Sequence, residues 1–187
     1  MNSVDICNQA LVSLGMNPIV TLDSSDNSAV RCKNLFPVCR DRMLRDHVWS
    51  FAVKSATCQK AAETSARTDY PIVSVLPVDC IRVVRLTSGN PYLLRGRKLL
   101  LTSAPDTLEY VSRVTNAEYF DPAFADALAS LIACELALYG TRDGSVLQYH
   151  REQYMRKISA AKAIDSIENI HDHQRGGRVS AFLDSRR

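Results

Sequence analysis

Between Asp121 and Tyr139 the sequence opens with Asp-Pro and then runs almost unbroken through apolar residues, with Asp126, Ser130 and Glu135 the clear polar exceptions. Asp followed by Pro marks a helix start, because the carboxylate caps free backbone N–H groups and proline fits the first helical position. A helix that is apolar on nearly every side has to be surrounded. The three polar interruptions argue against a bilayer span, which needs about 20 predominantly apolar residues. The expectation is therefore a helix at the centre of a protein core. Its alanines at 123, 125, 127, 129, 133 and 137 let neighbours approach closely. A chain of 187 residues has room for one compact domain, or two small ones sharing a core.

Other helices should pack on this one. Ile6, Cys7, Ala10, Leu11 and Leu14 share a helical face that Gly15 ends. Ser24 or Ser25 can cap a second helix, whose stripe Ala29, Cys32, Phe36, Cys39 and Met43 repeats every three or four residues. Pro37 lies inside that stripe and predicts a kink or a break into two helices. After a loop at Gly140–Gly144, a long helix is expected from about Ser145 to Ile170. Leu147, His150, Tyr154, Ile158, Ala161 and Ile164 form its inner stripe, and Glu152 and Arg156 a favourable pair outside it.

Between the helices the period changes. His47-Val48-Trp49-Ser50-Phe51-Ala52 suits an extended segment anchored by its aromatics, and Cys58–Thr68 reads as a helix end and a loop. Short strands are expected at Ile72–Val75, Cys80–Leu86, Tyr92–Arg95, Lys98–Thr102 and Thr107–Val114, with Arg95-Gly96-Arg97 as a hairpin turn. The fold class is α+β. It is a mainly helical bundle of N-terminal helices (1–66) and two long C-terminal helices (116–170), with a small antiparallel β domain inserted (67–115) and an extended C-terminal arm (171–187).

Composition narrows the functions. A net charge of +3 is too small for a clamp that neutralises many phosphates. The charge is unevenly placed, however: residues 67–113 hold seven basic and four acidic side chains, and residues 114–170 five basic and eight acidic. Oppositely charged parts can attract between copies as well as within one. Six cysteines show no C-x-x-C spacing and mostly fall among apolar helical neighbours, so they are expected as buried thiols. The N-terminus lacks the basic lead of a signal peptide, so the expected place of the protein is the cytoplasm where it is made. No phosphate loop, nucleophile elbow or His-Glu-x-x-His pair is present. His171 and His173 are expected in a solvated turn rather than at a metal. Glu135, with Asp126 or Asp121 as a second carboxylate, is the one constellation that could serve a glycoside hydrolase. A salt bridge from Glu135 to an arginine explains it more simply, and no catalytic residue, cofactor or metal is assigned.

Four stretches, in order, carry a further signal: Ile6-Cys7-Asn8-Gln9-Ala10-Leu11-Val12-Ser13-Leu14-Gly15; Arg40-Asp41-Arg42-Met43-Leu44-Arg45-Asp46-His47-Val48-Trp49-Ser50-Phe51-Ala52; Leu76-Pro77-Val78-Asp79-Cys80-Ile81-Arg82-Val83; and Phe120-Asp121-Pro122-Ala123-Phe124-Ala125-Asp126-Ala127-Leu128-Ala129. In these the chain resembles tail tubular protein A of short-tailed bacteriophages, the head-to-tail adaptor beneath the portal. The likeness spans nearly the whole chain and contains no catalytic signature. It implies a structural virion protein, not an enzyme, that assembles as a homo-oligomeric ring, commonly a dodecamer. Such a ring docks on the portal protein and on the tail nozzle (tail tubular protein B), lies near tail fibres or spikes, and passes genomic double-stranded DNA through its centre with weak, non-specific contact.

On that reading Arg175, Arg178, Phe182, Leu183, Arg186 and Arg187 of the basic, apolar-anchored arm bind the portal or a neighbouring subunit. Arg40, Arg42, Arg45, Asp126, Ser130 and Glu135 are the expected subunit-interface residues. The alternatives are a virion-associated cell-wall or polysaccharide hydrolase and a monomeric cytosolic binding protein.

Overall fold

The computed structural model describes residues 1–140 and 144–169. Helix α1 (Ser3–Ser13) begins in a reciprocal cap. The Asn2 side chain accepts from the Asp5 N–H at 2.9 Å, and the Asp5 carboxylate accepts from the Asn2 N–H at 2.8 Å. It ends at Gly15, whose φ of +70° is the left-handed conformation that closes a helix. The Asn8 amide then exchanges two hydrogen bonds with the Ile19 backbone, at 2.7 and 2.8 Å, and holds the following loop against α1.

Helix α2 (Asn27–Asp46) is capped by Asp26, not by either serine before it. Pro37 does not break it. Ala29, Cys32, Phe36, Cys39 and Met43 are all buried, on both sides of the proline. Burial of that continuous stripe outweighs the roughly 3 kcal/mol that an interior proline costs a helix.

Beyond α2, His47–Trp49 is extended and Ser50–Ala52 forms a 3-10 turn. The chain then makes seven strands: β1 (Val53–Cys58), β2 (Lys60–Thr64), β3 (Ile72–Val75), β4 (Cys80–Leu86), β5 (Tyr92–Arg95), β6 (Lys98–Leu101) and β7 (Asp106–Ser112). They form two antiparallel sheets, ordered β1-β7-β4 and β2-β3-β6-β5. Gly96, at φ +59°, takes the first central position of the β5–β6 hairpin, where a left-handed residue matches the strand twist.

The sheets thus begin at Val53, ahead of the expected boundary at 67, and Cys58–Thr68 is not a helix end. Ala, Ser and Thr in that stretch lack an alternating pattern of their own. Val53–Cys58 is recruited by β7, from Val53 opposite Val111 to Cys58 opposite Asp106, and Lys60–Thr64 by β3. Cys58, Leu76, Cys80, Leu86, Leu99, Leu101, Leu108 and Tyr110 fill the space between the strands as a second, smaller core.

A second 3-10 turn (Ala117–Tyr119) leads to α3 (Pro122–Gly140), where Asp121 Oδ1 accepts from the N–H groups of Ala123 and Phe124 at 2.8 and 3.2 Å. Helix α4 (Gly144–Glu168) follows. Over Pro122–Tyr139, α3 is long and apolar enough to cross a membrane, with a mean hydropathy of 1.4. In the fold it is the central core helix, packed by α1, α2 and α4. Edge-on aromatic contacts link it to the sheet unit: Phe124 lies 4.9 Å from Trp49 and 5.1 Å from both Phe51 and Phe120. The architecture is α+β, with two antiparallel sheets inserted between the N-terminal and the long C-terminal helices.

Candidate functional site

The charged end of α2 is consumed largely within the protein. Arg40, nearly buried, pairs with Asp41 at 2.8 Å, and Asp41 receives Arg113 at 2.9 Å from the end of the sheet unit. Arg45 donates to the Ile81 carbonyl at 2.8 Å, and Arg82 donates back to the Arg45 carbonyl. Asp46 is paired with Lys162 on α4. Arg42 reaches across to Glu135 at 3.1 Å with its own side chain 63% exposed. These residues therefore tie α2 to the sheets, to α3 and to α4, and Arg42 keeps the most open guanidinium of the paired arginines on α2.

On α3, Asp126 accepts from Gln9 at 2.6 Å and from Lys157 at 2.8 Å, which joins α1, α3 and α4. Ser130 is buried and its hydroxyl donates to the Asp126 carbonyl at 3.1 Å, so it serves its own helix. Asp126 and Glu135 are nine positions apart, which on an α-helix is about 13 Å of rise and roughly half a revolution. Their partners, α1 and α4 for one and α2 for the other, agree with opposite faces. The two carboxylates of a glycosidase stand about 5–9.5 Å apart across one sugar, so this pair does not form that constellation. Asp121, the remaining carboxylate considered, is engaged as the α3 cap.

A more tightly bonded cluster went unnoticed in the sequence. Asp165, 5% exposed, accepts from the Ser50 N–H (2.9 Å), the Ser50 hydroxyl (2.7 Å), His47 Nε2 (3.0 Å) and the Asn169 amide (3.3 Å). Ser, His and Asp are all present, yet the carboxylate sits at the centre and itself accepts the hydrogen bond of the serine hydroxyl. In a nucleophilic triad the histidine stands between the other two. The arrangement is a lock that fastens the end of α4 to the turn between α2 and β1. Its sequence signal is Asp165 falling on the buried stripe, at steps of 4, 3 and 4 from Tyr154 through Ile158 and Ala161.

The thiols fit the expectation of small core residues. Cys7, Cys32, Cys39, Cys58 and Cys80 are buried and free, and Cys134 is half-buried. Burial, reinforced by Glu135 beside it, pushes the Cys134 thiol above its ordinary pKa. Among the described residues no group of His, Cys, Asp and Glu side chains is assembled to hold a metal, and every buried side-chain polar atom has a hydrogen-bond partner.

A cleft of about 340 Å³ lies between α3 and α4, with Leu131, Leu138, Leu147 and Met155 as apolar lining and Arg42, Glu135 and Arg151 as charges. His171, His173, Arg175, Arg178, Phe182, Leu183, Arg186 and Arg187 lie outside the described residues. No protein-family model matches the chain, and no curated protein matches it at a significant level.

Proposed function

We propose that this chain is a structural virion protein, a head-to-tail adaptor that assembles as a homo-oligomeric ring, probed most directly as a dodecamer, between a portal and a tail nozzle. The observation that carries the reading is the outward face of α4. Its buried residues His150, Ile158, Ala161 and Asp165 face the core, while Tyr149, Ala160, Ala163, Ile164 and Ile167 lie exposed along the opposite side. At about 100° per residue these five fall within one stripe, which the Arg156–Gln153 pair interrupts between Tyr149 and Ala160. Ile167 is 66% and Tyr149 57% exposed. A helix with apolar residues on both sides suits protein contact on both, and the two alanines let a second backbone come close.

In a ring this stripe meets a neighbouring copy, while Arg42 and Glu135 lie at the α3/α4 cleft on another side of α4. The arm containing Arg175, Arg178, Phe182, Leu183, Arg186 and Arg187 reaches the portal, and the more basic sheet unit faces the nozzle and any fibres or spikes. Genomic DNA passes through the centre with weak contact, in keeping with a modest +3 charge per copy. The order of the four resembling stretches supports the same reading, as does a fold in which both long C-terminal helices belong to the wall-forming part.

The test is the light-scattering mass of the purified chain alone and after mixing with the portal ring of the same phage. A discrete rise equal to many copies per portal supports the adaptor and gives the stoichiometry. No complex at micromolar concentrations of both refutes it.

A further inference from the structure

The cleft between α3 and α4 lies on a different side of α4 from the Tyr149–Ile167 stripe. Leu138 and Met155 at its mouth are 56% and 58% exposed, whereas Leu131 at its base is buried. Its charges are not equivalent. Glu135 is neutralised by Arg42, but Arg151 has no carboxylate partner among the described residues. Among the described residues the cleft therefore presents an apolar floor with one positive charge that no carboxylate pairs, which fits an apolar pair followed by a carboxylate.

The chain carries one such sequence beyond its described part, Phe182-Leu183-Asp184. We infer that this segment seats in the α3/α4 cleft of its own chain, Phe182 and Leu183 against Leu138, Leu147 and Met155, and Asp184 at Arg151. The reach is sufficient. Twelve residues lie between Asn169 and Phe182, and the thirteen steps span up to about 43 Å when extended. The return path along α4 from Glu168 to Arg151 is about 25 Å. Tethering gives the arm an effective concentration on the order of millimolar at its own cleft, so an intrinsic affinity of about 0.1 mM keeps the cleft covered roughly nine-tenths of the time. This seat is that of the free chain, which the arm leaves when it reaches the portal, and it does not depend on ring formation.

Cys134 lines the cleft and is the half-buried thiol among otherwise buried ones, which makes it the reporter. Iodoacetamide alkylation, followed by peptide mass mapping, is to be compared in the full chain, a chain ending at Asn169, and the full-length double variant Phe182→Ser/Leu183→Ser. Unreactive Cys7, Cys32 and Cys39 in the same samples show that each variant is folded. The expected result is about tenfold faster alkylation of Cys134 in both altered chains. A synthetic peptide of residues 175–187, added to the shortened chain, restores protection and a scrambled peptide does not. Equal rates in all three proteins overturn the inference. Protection that grows with protein concentration also overturns it, since the arm then covers a neighbour's cleft. Portal binding is read separately, so equal alkylation rates with an intact portal complex reject this seat and leave the adaptor reading standing.

Discussion

Replacing Asp165 by alanine removes the acceptor for four donors at once: the Ser50 N–H, the Ser50 hydroxyl, His47 Nε2 and the Asn169 amide. Ser50 and Asn169 have a route to water, as both are only partly covered, while the bonds themselves lie in a site where the carboxylate is 5% exposed. A hydrogen bond to a charged group contributes about 1.5–3 kcal/mol, and donors that can rehydrate recover part of it. Taking each of the four bonds at about 1.5 kcal/mol, with half of the total recovered by water, gives a loss of about 3 kcal/mol. In a chain of this size that corresponds to roughly 6–12 °C in Tm. Urea unfolding followed by the emission of Trp49, the only tryptophan, measures it directly. Asp165→Asn retains an acceptor for Ser50 and is expected to lose about half as much. A loss below about 1 kcal/mol for the alanine variant, with an unchanged m-value, refutes the claim that this cluster fastens α4 to the α2–β1 turn.

Pro37→Ala restores an interior helix donor at an exposed position and is expected to stabilise the chain by about 2 kcal/mol, the helix gain less the entropy that proline removes from the unfolded chain; thermal unfolding checks it. Glu135→Gln breaks the Arg42 pair, and because that guanidinium is mostly in water the expected loss is under about 1 kcal/mol in urea unfolding. Burial depresses the pKa of His150, so the fold prefers its neutral form: stability is full above about pH 6.5 and falls as pH drops below that value, and His150→Gln flattens this limb of a pH–stability profile. Burial, aided by its bond to Asp79, pushes Tyr110 up to about 12, so stability is full below about pH 10 and is lost as pH rises from there to about 12; Tyr110→Phe abolishes that alkaline loss.

The helices were legible because their signals are local. Asp121-Pro122 starts α3 as read, and the stripe from Ala29 to Met43 is buried as spaced. The strands from Ile72 onward are bounded by turn residues that act at short range. What sequence did not show depends on partners far along the chain. Val53–Cys58 and Lys60–Thr64 become strands because β7 and β3 offer edges. Arg156 turns to Gln153 at 2.6 Å instead of to Glu152, which takes a hydrogen bond from Gln148. Asp26 caps α2 because the serines before it face the turn, where Ser24 accepts from the Asp26 N–H. In the candidate site, the arginines of α2 were visible as a cluster, but not that Arg113, Glu135, Ile81 and Lys162 or its partner Asp46 would occupy so much of it. The Asp165 lock joins residues more than a hundred positions apart, and a lone aspartate on an apolar stripe gives no hint of which side chains will meet it.

The way the sheet unit joins the helices has an evolutionary meaning. Its first and last strands are paired, Val53 opposite Val111, and Ser112 Oγ donates to the Ala52 carbonyl at 2.9 Å. The inserted segment therefore leaves and rejoins the helical scaffold at nearly one point. Strands and loops between those two residues can be resized while Trp49, Phe120 and Phe124 keep their places, so long as Ile81 and Arg82 still meet Arg45 on α2. Surfaces that must track a changing partner belong on such a cassette, and the helices beneath it are free to stay constant.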